Sequence, residues 1–254
     1  MNFHYFCHTD QGNVREKNED ALLVKCGRFS GENCLIACVC DGVGGLEQGE
    51  MASFCAVKIL SDWFDMELPQ LEFSERIIKK RLQVLIESIN SEIYYHNKVS
   101  GIKSGTTFSC ILFRADRYTV CHIGDSRIYR IGSTAGQLTE DHSWIAREVR
   151  EGRMTEAEAE ADQRKNVILK CLGAGPEIEA DIFSGQINAP SVFLLCSDGF
   201  WHYLTKPEIE KFLSPDNFRE GTLRELAEAD KRRGETDNIS AVAVRIDEGD
   251  EKSR

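Results

Sequence analysis

Five acidic positions sit where apolar runs meet turns. LIACVC ends at Asp41-Gly42, YTVCHIG at Asp125-Ser126 and SVFLLCS at Asp198-Gly199, while Glu19-Asp20 opens ALLVKC and Asp237-Asn238 opens ISAVAVRI. If consecutive strands pair antiparallel, the start of one lies beside the end of the next, so Asp20 is expected near Asp41. A single Asp-Gly after a strand is an ordinary turn former. Here the alternation of starts and ends puts every instance on one sheet edge, and shared position argues for shared function. Gathered carboxylates repel each other unless they protonate or share cations, so the pattern implies bound metal. An all-oxygen set without His or Cys ligands favours Mg²⁺ or Mn²⁺ over zinc. Asp41, ending a central strand, is best placed to bridge two ions. Arg15, shortly before Glu19-Asp20, has a guanidinium that can take two phosphate oxygens at once. Cations beside such a group suit metal-assisted hydrolysis of a phosphomonoester.

The elements that must position these residues come in blocks. Residues 2–8, 20–26 and 34–40 read as strands, the last two joined by a loop over 27–33. Two helices follow. One spans 50–64, with Ala52, Phe54, Cys55, Ile59, Leu60 and Trp63 at helical spacing; the next starts after Ser74, with Ile78, Leu82, Leu85, Ile86, Ile89 and Ile93 on one stripe. Strands are expected at 106–113, 117–123 and 127–131, then a helical, exposed and mobile stretch over 143–166 that resembles a lid. Strands near 179–184 and 192–196, helices near 206–213 and 219–232, and a strand at 239–246 complete the chain. The order predicts an α/β (α+β) four-layer sandwich, two stacked antiparallel β-sheets flanked by helices on both sides. One catalytic domain over 1–246 is expected, with a disordered tail over 247–254.

Composition narrows the function classes. The chain has 254 residues and a net charge of −11, which disfavours nucleic acid, whose binding rests on clustered Lys and Arg. No apolar run is long enough to span a bilayer and the N-terminus lacks a secretory pattern, so a cytoplasmic protein is expected. Of the ten cysteines, Cys38, Cys40, Cys110, Cys121 and Cys196 fall inside apolar runs, where they read as reduced core residues, and no CxxC pair exists.

The stretches GNVREKNEDA, VCDGVGG, SGTTFSCILF, HIGDSRIYRI, LTEDHS, VILKCLGAG, LLCSDGFW and TDNISAVAV together resemble the metal-dependent protein phosphatase family, type 2C, in its short bacterial form. The resemblance runs from Gly12 to Ile246. It implies hydrolysis of phosphoserine and phosphothreonine in proteins by a water bridging two Mn²⁺ or Mg²⁺ ions. Asp41 would bridge the ions, the Gly42 carbonyl would bind one, and Asp198 and Asp237 the other. Glu19 would act through water, Asp20 would support that shell, and Asp125 with Asp198 would hold a weaker third ion. Arg15 would grip the phosphate. Residues 143–166 correspond to the family's variable flap, and a Ser/Thr kinase of the same cell and its targets are the natural partners of a monomeric enzyme. Thr106, Thr107, Ser126, Arg127 and Asn238 are expected to brace the ligand loops. Val43 stands where many eukaryotic members have a proton-donating His, which leaves a metal-bound water as donor; His142 reads as a capping or packing residue.

Two other classes compete. Ser100 to Lys103 and Lys103 to Gly105, with Thr236 to Asn238, echo penicillin-binding motifs, but the order is wrong and one Lys would serve twice. A catalytically silent phosphoprotein-binding module on the same scaffold would be expected to lack metal ligands, whereas Asp41, Asp198 and Asp237 are all present. The DGVGG segment is no P-loop, because no Gly-Lys-Ser/Thr follows.

Overall fold

A computed structural model of the chain describes residues 1–43 and 48–248. The last two glycines of VCDGVGG, and all but the first two residues of the expected disordered tail, lie outside the described residues.

The apolar runs become the central strands of two five-stranded antiparallel sheets. One sheet orders β2 (Asp20–Phe29), β3 (Glu32–Asp41), β4 (Phe108–Arg114), β5 (Arg117–Ile123) and β8 (Asp181–Gln186). The other orders β1 (Asn2–Asp10), β10 (Ile239–Asp247), β9 (Ser191–Cys196), β6 (Arg127–Ile131) and β7 (Ala135–Gln137). Central strands such as β3 are covered on both faces, which is why LIACVC is continuously apolar rather than alternating. Leu35, Ala37 and Val39 point between the sheets, against Phe193, Leu195, Val242 and Val244. Ile36, Cys38 and Cys40 point outward beneath α1 (Gly49–Met66) and α2 (Glu75–Ser100). On the far side Val192, Leu194, Ala241 and Ala243 pack under α5 (Asp198–Trp201), α6 (Lys206–Phe212) and α7 (Thr222–Arg233). The four layers are those expected. The buried cysteines are free thiols in the core. Among the described residues no helix is long and apolar enough to cross a membrane.

Several local expectations are corrected. The 27–33 loop shrinks to a tight turn at Ser30-Gly31, because β2 and β3 pair out to Phe29 opposite Glu32. Helix α1 buries Ala52, Ala56, Leu60 and Trp63, whereas Phe54 is 65% exposed; its position, two residues past Ala52, lies on the opposite side of a helix of 3.6 residues per turn. The 143–166 stretch is not one helix but two short ones, α3 (Trp144–Arg150) and α4 (Glu156–Ala161). Gly152 breaks it with φ +69°, and Thr155 starts the second helix with a capping box to Glu158. Strand β7 and the single turn α5 are too short to leave a periodic signature.

Candidate metal centre

Both sheets end at the same place, and the acids are there. Asp20 opens β2 directly opposite Asp41 at the end of β3. Asp125 follows β5, Asp198 begins α5 just after β9, and Asp237 precedes β10. Contacts tie the two sheets across this end: Ser197 Oγ donates to Asp20 Oδ2 at 3.1 Å, and Asn238 Oδ1 accepts from the Glu19 amide at 2.8 Å. Asn238 Nδ2 also donates to the Gln11 and Lys17 carbonyls, both at 2.8 Å, so this one amide side chain holds the whole loop that carries Arg15 and Glu19.

Close backbone approach needs glycine at two of these turns. A Cβ on Gly42 would meet the Glu19 and Gly49 carbonyl oxygens at 2.7 Å, and one on Gly199 would meet the Asn238 carbonyl oxygen at 2.2 Å. The Asp-Gly pairs therefore do more than turn the chain: they let the neighbouring loops close on the carboxylates.

The carboxyls disturb one another. Burial, and then the charges of Asp20, Asp198, Asp125 and Asp237, push the Asp41 pKa well above the carboxylate range. Burial, then the Asp198 charge, raises Asp125 in the same way. Asp20 is raised to about 7, chiefly by burial, and Asp198 to about 6, by burial and then by Asp237. Glu19 is raised by burial and by Glu50. One oxygen of each of Asp20, Asp125 and Asp198 is buried and accepts no hydrogen bond from any described residue. Carboxylate oxygens left without donors beside other carboxylates are ligands for a hard cation. Among the described residues no three His, Cys, Asp or Glu groups already stand as a finished ligand set. Both carboxylate oxygens of Asp237 have partners: its Oδ1 accepts from the Asn238 amide at 2.8 Å, and its Oδ2 accepts from Arg15 Nη2 at 2.6 Å.

The Arg15–Asp237 pair joins two residues given separate duties in the sequence reading. Thr106 and Thr107 clamp the end of β3: Thr107 Oγ1 accepts from the Asp41 amide at 2.9 Å and contacts Ser126 Oγ at 2.8 Å, while Thr106 Oγ1 donates to the Asp41 carbonyl at 2.9 Å. Arg127 does not touch the acids. It lies 3.3 Å over the Trp201 ring, is gripped by Asp141 at 2.7–3.1 Å, and Trp201 Nε1 donates to the Asp125 carbonyl at 3.1 Å. His142 packs as expected: its Nδ1 accepts from the Gly124 amide at 3.1 Å and its Nε2 faces Asp181 at 3.2 Å. Val43 follows Gly42 with no proton to give. Sequence reasoning missed Ser197, Trp201, Asp141 and Glu235. Ser197 and Trp201 lie inside the quoted motif LLCSDGFW and Asp141 inside LTEDHS, so motif position was a usable signal for all three. Glu235 lies just before the quoted TDNISAVAV and reaches His202 across 33 positions, a contact that no motif signals.

Comparisons with known proteins agree with this architecture. The family model described as protein phosphatase 2C matches residues 9–234. A serine/threonine phosphatase of Listeria monocytogenes is 33% identical over 248 residues, spanning 94% of each chain. The crystal structure of a serine/threonine phosphatase from Staphylococcus aureus superposes with a TM-score of 0.87 at 28% identity, covering 98% of this chain and 96% of that one. The catalytic domain of PstP, solved in complex with two manganese ions, superposes with a TM-score of 0.80 at 28% identity over 97% of this chain and 99% of that one. With the acids converging at one end of a matching four-layer sandwich, the comparisons favour a protein phosphatase over a silent binding module, and the chain belongs to the protein phosphatase 2C family.

Proposed function

We propose that the chain hydrolyses phosphoserine and phosphothreonine in proteins at a centre of two divalent cations, Mn²⁺ or Mg²⁺. The carrying observation is the set of unpartnered, buried carboxylate oxygens on Asp20, Asp125 and Asp198 around Asp41, all with raised pKa values. These residues fit hard cations: oxygen donors only, and charge that needs neutralising. Asp41 would be shared between the ions, with the Gly42 carbonyl, Asp198 and Asp237 as further ligands. Glu19 would reach the centre through water, Asp20 would support that shell, and Asp125 with Asp198 would hold a weaker third ion. When bound, the ions acidify and aim the attacking water and neutralise the phosphoryl oxygens.

The chain's own residues do the rest. Thr106 and Thr107 hold the backbone of Asp41 on both sides, which fixes the point from which its carboxylate is presented to the pocket. Asn238 pins the loop bearing Arg15 and Glu19 against β10. Arg15 stands at the rim, its side chain 38% exposed, where its fork can turn from Asp237 to the phosphate dianion. Phosphorylated proteins are the substrates, with a Ser/Thr kinase of the same cell and its targets as partners, and residues 143–166 form a flap beside the site. One catalytic domain over 1–246, acting as a cytoplasmic monomer, completes the reading.

The direct test is hydrolysis of p-nitrophenyl phosphate and of a phosphoserine peptide with Mn²⁺, after chelation, and after Mn²⁺ is restored. Activity should appear, vanish and return. A well-folded sample inert under all three conditions overturns the proposal. In the same assay Arg15→Ala should raise KM for the peptide about tenfold, the worth of one charge-assisted hydrogen bond, with a smaller change in kcat. An unchanged KM and unchanged inhibition by inorganic phosphate would remove Arg15 from substrate binding.

A further inference from the structure

A side-chain bridge outside the carboxylate cluster links the 143–166 segment to the turn that carries Asp237. Glu235 is 6% exposed, and its Oε1 accepts from the amides of Thr236 at 2.7 Å and Asp237 at 2.8 Å. Its Oε2 lies 3.2 Å from His202 Nδ1. The other ring nitrogen, His202 Nε2, lies 3.3 Å from Lys165 Nζ. An ammonium group only donates, so Nε2 is the acceptor and the ring proton sits on Nδ1, where it donates to Glu235. The His202 amide itself donates to the Asp198 carbonyl at 2.9 Å. The ring therefore stands between α5 and the Asp237 turn, with its side chain 36% exposed toward the segment that holds Lys165.

We propose that His202 is a positioning residue: through Glu235 it orients the Asp237 turn, and through Lys165 it docks the 143–166 segment, so that cation affinity and the seating of that segment are coupled. The inference rests on the reading of Asp237 as a cation ligand. A carboxylate gripped at one oxygen by two amides can still pivot about them; the His202 bond on the second oxygen stops that motion. Partners that orient a ligand in this way commonly change metal affinity ten- to a hundredfold. A purely structural His at this place would gain nothing from Lys165.

The test is calorimetric titration of the full chain with Mn²⁺. His202→Leu should weaken Mn²⁺ binding by about tenfold. His202→Asn keeps an N–H toward Glu235 and loses the acceptor for Lys165, so it should behave like Lys165→Met, with a loss of about threefold, the worth of one exposed contact. The double variant Lys165→Met with His202→Leu should be no weaker than His202→Leu alone. Parent-like Mn²⁺ binding by His202→Leu, or full additivity in the double variant, overturns the proposal. If His202→Leu fails to fold, His202→Asn and Lys165→Met carry the test: parent-like affinity in both overturns the coupling. Asp237→Asn separates the two levels. If it alone loses Mn²⁺ affinity, the ligand reading stands and the His202 inference fails; if it binds as the parent does, the ligand reading itself is wrong.

Discussion

Asp41→Asn should lower turnover of a phosphoserine peptide by about a thousandfold or more and leave the fold intact. Loss of a bridging charge removes on the order of 4 kcal/mol of transition-state stabilisation, and each 1.4 kcal/mol is a factor of ten. The fold survives because the anchors of this residue are backbone groups: its amide bonds Thr107 Oγ1, and its carbonyl accepts from the Thr107 amide at 2.8 Å and from Thr106 Oγ1 at 2.9 Å. None of these needs the carboxylate. Asn also removes a charge that burial and four neighbouring carboxylates oppose, so without metal the variant should melt at or above the temperature of the parent. Asp198→Asn should act in the same way. Near-normal turnover in either folded variant would sink the ligand assignment, and a large fall in the metal-free melting temperature would mean that Asp41 serves the fold.

The metal-free protein should melt about 5 °C higher at pH 6.5 than at pH 8, and saturating Mn²⁺ should shrink that difference to the share of Asp230, a carboxyl outside the cluster that burial raises to about 7. Asp20 is raised to about 7, and Asp41 and Asp125 lie well above the carboxylate range, all chiefly through burial. Unfolded, these groups titrate near 4, so through this window the folded state binds protons that the unfolded state does not, and stability falls as pH rises. About one extra proton bound by the folded state across this window, at about 1.4 kcal/mol per pH unit, gives the stated temperature change for a chain of this size. The window stops at 6.5 for a reason. His122, held down at about 3 by burial, must stay neutral in the folded state, so it costs stability as pH drops below the ordinary His value. His8 and His142 are lowered by burial in the same sense. Bound cations compete with the same protons and stabilise most where the carboxylates are ionised, at the alkaline end. A melting temperature that is flat or falls from pH 8 to 6.5 without metal would mean that the carboxylates do not repel one another as described.

The hairpin shows what could be read early. Asp20 beside Asp41 follows from two adjacent antiparallel strands, and the pairing sets them directly opposite each other, although the turn between the strands is tighter than the 27–33 loop expected. The stripe of α2 was legible because six apolar residues repeat at helical spacing over several turns. The α1 face was not: its apolar residues circle the helix, and only the fit against the sheet selects Ala52, Ala56 and Leu60 over Phe54. Nor was the break between α3 and α4, where one positive-φ glycine outweighs a helix-forming composition.

By itself the sequence determined the layers, the family and the acid-bearing ends of the strands, since periodicity and motif order are local properties that survive without knowledge of packing. Only the tertiary structure decided which distant groups meet: Arg15 on Asp237, Ser197 on Asp20, Asn238 on the Glu19 loop and Lys165 on His202. Those pairs join residues from 37 to 222 positions apart, and a contact at that separation depends on how one sheet settles on the other, which no single element encodes.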